Sequence, residues 1–295
     1  MCPLSKYLKQ INSILPEHAD ISVSALEEGF SNQTYLISYQ HEPQLVLRIA
    51  QLDAQAFAVD REAELAIWQL AADHGLSSAV RWHDAKGTVV SDFILGHTLA
   101  WDVEHAEQSL ELYAIYDSMK TLHQMPPVAK RYDVYQLIDS WLLRLERHPN
   151  VVEIAPLLGQ VKALFQSLTP VSPSTLVLCH NDLNPKNMLL NQERAWFIDW
   201  ECAGMNDPLF DLAVLSHCHH LTPTQVAQAY QYLFDEPLSA ARNQVLTQYR
   251  QAYVIRELVW LLLKHLVHGS QDLDCLQWYH ALLNDPVFNP YFKVE

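Results

Sequence analysis

Along the first hundred residues the apolar positions fall in short runs rather than long helical stripes. Tyr35-Leu36-Ile37-Ser38-Tyr39 and Leu45-Val46-Leu47-Arg48-Ile49 combine β-branched, aromatic and other apolar residues, and each predicts a strand. Past Asp60 the period lengthens. Asp60 can cap a helix that sets Leu65, Trp68 and Ala72 on one face and stops near Gly75. Val89-Val90-Ser91-Asp92-Phe93-Ile94 predicts a further strand, closed by Gly96. Two strands, a helix and a third strand make a small α/β lobe.

After about residue 97 the pattern turns helical. Periodic stretches at 110–123, 137–147 and 161–168 end ahead of Pro126-Pro127, Pro149 and Pro170, and proline commonly follows a helix end because it cannot continue the helix. Further helical patterns cover 224–233, 240–269 and 273–283, the second with breaks that the pattern does not locate. There is no internal repeat and no low-complexity tract.

One β insert interrupts the helical part. Leu176-Val177-Leu178-Cys179-His180-Asn181-Asp182-Leu183-Asn184-Pro185-Lys186-Asn187-Met188-Leu189-Leu190 leads through a polar connection to Ala195-Trp196-Phe197-Ile198-Asp199-Trp200-Glu201. Two apolar runs flanking a polar connection predict a hairpin. With the turn centred near Glu193, Asn187 and Asp199 would face each other across the strands. A carboxamide oxygen and a carboxylate would then converge, and hard oxygen ligands completed by phosphate oxygens and water suit Mg²⁺. Asp182 would stand at the mouth of that site. The spacing His180-x-Asp182-x-x-x-x-Asn187 matches the catalytic loop of protein kinases, where the Asp accepts the hydroxyl proton and the Asn and a later Asp hold metal. Phosphoryl transfer needs an oriented nucleophile and charge neutralisation more than covalent help.

Composition narrows the partners. With 295 residues the chain can form one large domain or two unequal lobes, and 49% hydrophobic against 18% charged residues is a globular balance. A formal net charge of -15 argues against nucleic acid, which requires concentrated Lys and Arg; it is compatible with a cationic ligand and equally with ordinary acidic solubility. The five cysteines are scattered without a C-x-x-C pair, so neither a disulfide framework nor a zinc ribbon is expected. The charged N-terminal segment has no signal-peptide pattern. The most apolar run, 258–267, is too short to span a bilayer and carries Lys264 and His265, so no membrane insertion is expected and a reducing cytoplasm is the default.

Cys179-His180-Asn181-Asp182 with Asn187, followed by Ile198-Asp199-Trp200-Glu201, resembles the choline/ethanolamine kinase branch of the aminoglycoside-phosphotransferase superfamily, with thiamine kinase-like proteins close to it. The similarity extends to Glu28-Gly29-Phe30-Ser31-Asn32 as nucleotide loop, Asp60-Arg61-Glu62 as N-lobe helix, Phe93-Ile94-x-Gly96 as hinge, and Asp207-Pro208-x-x-Asp211-Leu212-Ala213 after the metal loop. The resemblance implies an α+β, two-lobed protein-kinase-like fold. Residues 1–95 would form a small β-rich nucleotide lobe, and 96–295 a larger, mainly helical catalytic and substrate lobe. It also implies ATP and Mg²⁺ as cofactors and a small cationic alcohol as acceptor, choline first, ethanolamine or thiamine close.

Carried over by position, Asp182 would be the catalytic base and Asn187 and Asp199 the Mg²⁺ ligands. Ser31, Asn32, Phe93 and Ile94 would contact nucleotide, as would Arg48, standing where protein kinases have a lysine and pairing with Glu62. Arginine offers a planar fork in place of a compact ammonium. The nucleotide loop has one glycine where protein kinases have three.

For other residues two readings stay open. Glu201 can face a cationic substrate or form a structural ion pair, and Lys186 can face phosphate or solvent. Trp200, Trp260, Trp278, Tyr253 and Tyr279 can line a pocket for a quaternary ammonium or pack in the core, with Trp260 the best pocket candidate by resemblance. His180 reads as a loop brace. His217, His219 and His220 match no zinc spacing and read as a solvated helix end. Rival functions are antibiotic phosphorylation at the same site, a catalytically silent nucleotide-binding regulator, and, more weakly, a metal-dependent hydrolase.

Overall fold

Strands β1 (Ile21–Leu26), β2 (Asn32–Tyr39), β3 (Glu42–Ala50), β4 (Val80–His83) and β5 (Val89–Asp92) form an antiparallel sheet in the order β1-β2-β3-β5-β4. The computed structural model describes residues 3–17, 20–26, 32–173, 175–191, 194–269 and 274–292. Of the expected nucleotide loop, Glu28 to Ser31 lie outside them. Alternation along the inner strands puts Ile37, Leu45, Leu47, Ile49 and Val90 in one cluster with Ile11, which follows helix α1 (Pro3–Gln10). The apolar pattern leaves β1 and β4 unassigned, and these are the two edge strands. An edge strand pairs on one side only and keeps polar residues in alternation, so its apolar signal is weak.

A short helix, α2 (Ala54–Phe57), precedes α3 (Arg61–Asp73), which Asp60 caps by accepting the Ala63 N–H at 3.0 Å. The buried face of α3 carries Glu64, Ile67, Trp68 and Ala71 rather than Leu65, Trp68 and Ala72. A purely apolar count overlooks a carboxylate at an inward position, and that carboxylate proves central to the site.

Residues 93–97 pass from the sheet to the helical lobe. The N–H of His97 donates to the Leu190 carbonyl and the Leu190 N–H to the His97 carbonyl, both at 2.9 Å. A Cβ added to Gly96 would sit 3.1 Å from the Leu190 carbonyl oxygen, so a side chain there would crowd this junction.

Beyond it lie α4 (Leu110–His123), α5 (Val134–Arg147), α6 (Ala155–Gln166), β6 (Val177–Cys179), β7 (Met188–Leu190), β8 (Ala195–Phe197), β9 (Gly204–Asn206), α7 (Pro208–Cys218), α8 (Pro223–Phe234), α9 (Ala240–His268) and α10 (Cys275–Asn284). The expected hairpin is present as β7–β8, while β6 pairs with β9. Helix α9 is one unbroken element of 29 residues packed against α5, α6, α7 and α10. From Leu246 to Leu266 it buries residues on every side, so no single apolar stripe marks it and its periodicity looks interrupted. Helix α7, buried from Leu209 to Cys218, is unassigned by pattern for the same reason. Among the described residues no helix is long and apolar enough to cross a membrane.

Leu262 is fully buried in α9. Leu262→Ala should lower unfolding free energy by about 3 kcal/mol through lost transfer energy and a residual cavity, read from urea titrations. A loss under about 1 kcal/mol would show that α9 is not the core of this lobe.

Candidate active site

The loop that carries Asp182 is bent by buried hydrogen bonds. Asp207 caps α7 by accepting the Leu209 N–H, which fixes Asp211 in the first helical turn. There Asp211, fully buried, accepts the backbone N–H of His180 at 3.1 Å and of Asn181 at 2.7 Å, and His123 Nε2 lies 2.9 Å from it. Asn181 adopts φ 66°, a left-handed conformation that Asn tolerates better than most residues. Its side-chain amide bonds the Cys202 carbonyl and accepts from Asn206, tying the bend to β9. His180 is the loop brace expected, fully buried with Nε2 2.9 Å from the Ile198 carbonyl, and burial pushes its pKa down.

This bend presents Asp182. Its Oδ2 accepts from Asn187 Nδ2 at 2.9 Å, and Asn184 caps the turn carrying Asn187 by accepting the Lys186 and Asn187 N–H groups. The amide nitrogen of Asn187 is therefore committed inward, while Asn187 Oδ1 takes no hydrogen bond among the described residues. The register differs by one residue from expectation: Met188 pairs with Phe197, and the Ile198 N–H donates to the Asn187 carbonyl, so Asn187 stands opposite Ile198. Asp199 follows in a left-handed conformation, φ 64°, that ends the strand and turns its side chain away from strict alternation.

Asp199 Oδ1 accepts from Arg48 Nη1 at 3.2 Å. Arg48 pairs with Glu64, not with Glu62 as expected. The periodicity of α3 turns Glu62 to solvent and Glu64 inward, where it also takes Arg61 Nη1 at 2.7 Å. Arg48 lies over the Trp68 ring, 5.0 Å from its centroid, so a planar guanidinium is stacked and forked between two carboxylates in a way an ammonium cannot reproduce. The Glu201 carboxylate lies 3.5 Å from Arg61 Nη1.

In this cluster the carboxylates of Glu64, Asp199 and Glu201 outnumber the guanidinia of Arg48 and Arg61. Burial would raise Glu64, but Arg48 and Arg61 outweigh it and hold Glu64 below its ordinary range. Burial pushes Asp199 up to about 6, opposed by Arg48 and reinforced by Glu64 and Asp182. Burial and then Asp199 and Glu64 push Glu201 up to about 8. A site that retains a proton to balance surplus negative charge fits a cation. The donor set fits Mg²⁺, since Asn187 Oδ1 and Asp199 Oδ2 are hard oxygens that no hydrogen bond among the described residues occupies.

Of the expected nucleotide contacts, Asn32 opens β2, and its Oδ1 is buried with no partner among the described residues. Phe93 and Ile94 follow β5, with the Phe93 N–H bonded to the Gln44 carbonyl at 2.9 Å. Among the aromatic candidates, Trp200 is buried and bonded to Ser77, Tyr279 bonds toward Leu157, and Trp278 is exposed. Trp260 packs against Phe57 and already carries the Lys264 ammonium over its ring. Tyr253 instead reaches Asp182, its hydroxyl 3.4 Å from Oδ1. His217 and His219 are buried rather than solvated, and burial pushes both down to about 3. His219 Nδ1 meets His105 Nε2 at 3.1 Å, while His220 remains exposed.

Sequence reasoning missed Arg256. Its Nη2 lies 2.7 Å from Asp182 Oδ1, and its side chain is only 4% exposed. The one signal available was the charged pair Arg256-Glu257 inside the otherwise apolar centre of α9.

Residues 22–244 match a family described as the phosphotransferase enzyme family. The LicA protein of Haemophilus influenzae is 28% identical over 197 residues, covering 66% of this chain and 57% of the relative, so the chain spans little more than half that protein's length. Among solved structures, choline kinase LicA from Streptococcus pneumoniae superposes with a TM-score of 0.73 at 21% identity, covering 98% of this chain and 99% of that one. Aminoglycoside 2'-phosphotransferase-IIIa, solved with GDP, gives 0.67 at 20% identity, covering 97% and 99%. These structures share the two-lobed, kinase-like fold of this chain.

The surplus charge has a measurable consequence. Between pH 6.5 and 8 the folded, metal-free protein keeps a proton on Glu201 that the unfolded chain, with its ordinary value of 4.5, has released. At this group the unfolded state thus binds fewer protons, so the contribution of Glu201 to stability falls as pH rises through this window. The buried histidines, pushed below their ordinary 6.5, contribute with the opposite sign near pH 6.5, where the unfolded chain still binds their protons. The urea midpoint of the wild type should therefore decline relative to that of Glu201→Gln from pH 6.5 to 8, since the shared histidines cancel in the comparison. A difference between the two proteins that stays constant across the window would assign the proton elsewhere.

Proposed function

This chain belongs to the phosphotransferase enzyme family, and from that premise we propose that it moves the γ-phosphoryl group of ATP onto the hydroxyl of a small cationic alcohol, with choline favoured and ethanolamine or thiamine next. The observation that carries this reading is the set around Asp182. One carboxylate oxygen is fixed by Asn187, and the Asn187 carbonyl group and Asp199 offer oxygens that fit a divalent ion.

In this reading Asp182 accepts a hydrogen bond from the acceptor hydroxyl, orients its oxygen toward the phosphoryl group, and receives its proton as the new P–O bond forms. Asn187 and Asp199 would hold Mg²⁺, which when bound neutralises charge on the phosphate oxygens. Arg48, fixed by Glu64 and Trp68, would present positive charge to the nucleotide phosphates. Asn32, Phe93 and Ile94 would meet the rest of the nucleotide, together with Ser31. Residues 1–95 would then serve as the nucleotide lobe and the remainder as the acceptor lobe.

The cationic acceptor is supported by the net charge of -15 and by the Glu257 carboxylate, which feels the charge of Asp182 nearby. The similarity to LicA, and the fold shared with a choline kinase of that name, favour choline within the class.

Thermal shifts measured with Mg²⁺-nucleotide and choline, ethanolamine, thiamine or kanamycin should show the largest stabilisation with choline, because a ligand that binds the folded state raises the melting temperature by mass action. A shift with kanamycin alone would transfer the assignment to antibiotic phosphorylation. Asp199→Ala should abolish ADP formation without lowering the melting temperature. Substantial Mg²⁺-dependent turnover by that variant would remove Asp199 from the metal site. Asp182→Asn should lower kcat by at least about 100-fold while nucleotide affinity changes little. An unchanged kcat would reject Asp182 as base.

A further inference from the structure

We propose that Arg256 is a positioning residue, acting on phosphoryl transfer through Asp182 by fixing the rotation of its carboxylate, and contacting neither acceptor nor nucleotide. The inference rests on the phosphoryl-transfer reading above and names the device that sets the base in place.

A guanidinium has five N–H donors in a fixed planar fork. Arg256 makes four side-chain hydrogen bonds inside the protein. Nε donates to Glu257 Oε1 at 2.9 Å and Nη2 to Asp182 Oδ1 at 2.7 Å, and Nη2 also forms an ion pair with Glu257 at 2.7 Å. Nη1 donates to the Tyr132 hydroxyl at 3.1 Å and the Asn181 carbonyl at 2.9 Å. With its fork committed to these partners and its side chain buried, Arg256 is unsuited to the usual role of an arginine in a phosphate site.

What the fork does hold is the base. Asp182 Oδ1 is bonded by Arg256 and Oδ2 by Asn187. A carboxylate bonded at one oxygen can swing about its Cβ–Cγ bond, but one held at both cannot. Arg256 also grips the carbonyl of Asn181, the residue at the left-handed bend, whose N–H is held from the opposite side by Asp211. The peptide leading into Asp182 and its carboxylate are thus clamped by one planar group. Lysine could supply the charge but not the fork. A buried ion pair is a poor source of net stability, because desolvation offsets much of its attraction, so a geometric role accounts better for a buried guanidinium on the reacting carboxylate.

The test is a double-mutant cycle. Arg256→Gln and Arg256→Lys are made alone and with Asp182→Asn, and single-turnover phosphoryl transfer is measured, with melting temperature and nucleotide affinity as controls. Arg256→Gln should lower the rate about 100-fold, the loss expected of a misplaced reacting group, with acceptor KM and nucleotide affinity nearly unchanged, and Arg256→Lys should fall between. In the Asp182→Asn background the same change should cost no more than about threefold, since the group through which Arg256 acts is already altered. Equal losses in the two backgrounds, or an effect on acceptor KM alone, would overturn the proposal. If Arg256→Gln does not fold, Arg256→Lys carries the cycle under the same criteria. Crystal structures of the wild type and the folded variant give an arm independent of turnover. An Asp182 carboxylate rotated off Asn187 in the variant supports the proposal, and an unmoved one overturns it. A wild type inert toward every alcohol would sink the function proposed above, and the crystallographic arm would still decide whether Arg256 fixes the carboxylate.

Discussion

A fully buried carboxylate, Asp211, holds two consecutive backbone N–H groups of the loop that carries Asp182, and the site depends on that contact. Buried N–H groups must find partners, and a carboxylate accepting both can hold the chain in a bend that a helix or strand would not supply. Asn181 takes the left-handed turn that results. From that single anchor the direction of Asp182 follows, and with it the position of Asn187 through their shared hydrogen bond. The anchor itself is set by the N-terminal cap of α7, so a local helix-start signal at Asp207 governs the Asp182 loop some thirty residues earlier in the chain.

Around this loop the protein concentrates charge that it does not fully compensate. Glu64 is satisfied by two guanidinia, but Asp199 and Glu201 share what remains, and both are pushed upward. A stable protein without a ligand to bind would have little reason to bury such a surplus, since replacing it with apolar groups is often neutral or stabilising. The imbalance suits the positively charged ligand proposed for this site. Arg48 is held on the opposite terms, stacked on Trp68 and bonded on two sides, so that its charge stays fixed in place.

Side chains cross between the lobes at Arg48–Asp199, Arg61–Glu201 and Ser77–Trp200, and at the connection itself the contact is made by backbone. Gly96 passes close to the Leu190 carbonyl, and the paired bonds of His97 with Leu190 bind the lobe connection to the hairpin strand that follows Asn187. The connection and the proposed metal-binding hairpin are therefore one hydrogen-bonded unit.

Much of this protein was legible in the chain itself. The motif spacing of His180, Asp182, Asn187 and Asp199, the cap at Asp60, the proline-terminated helices and the β7–β8 hairpin all rest on local signals, and local signals survive in a linear sequence. Tertiary structure alone decided the rest. The choice of Glu64 over Glu62 depends on which face of α3 meets the sheet, and the one-residue shift of the hairpin depends on the left-handed turn at Asp199. Helices α7 and α9 are buried all round and so carry no stripe to read, which also hid Arg256 and Tyr253, whose meaning arises only where α9 crosses the Asp182 loop. Sequence periodicity reports one boundary between core and water, and side chains that meet across distant segments inside the core leave no trace in it.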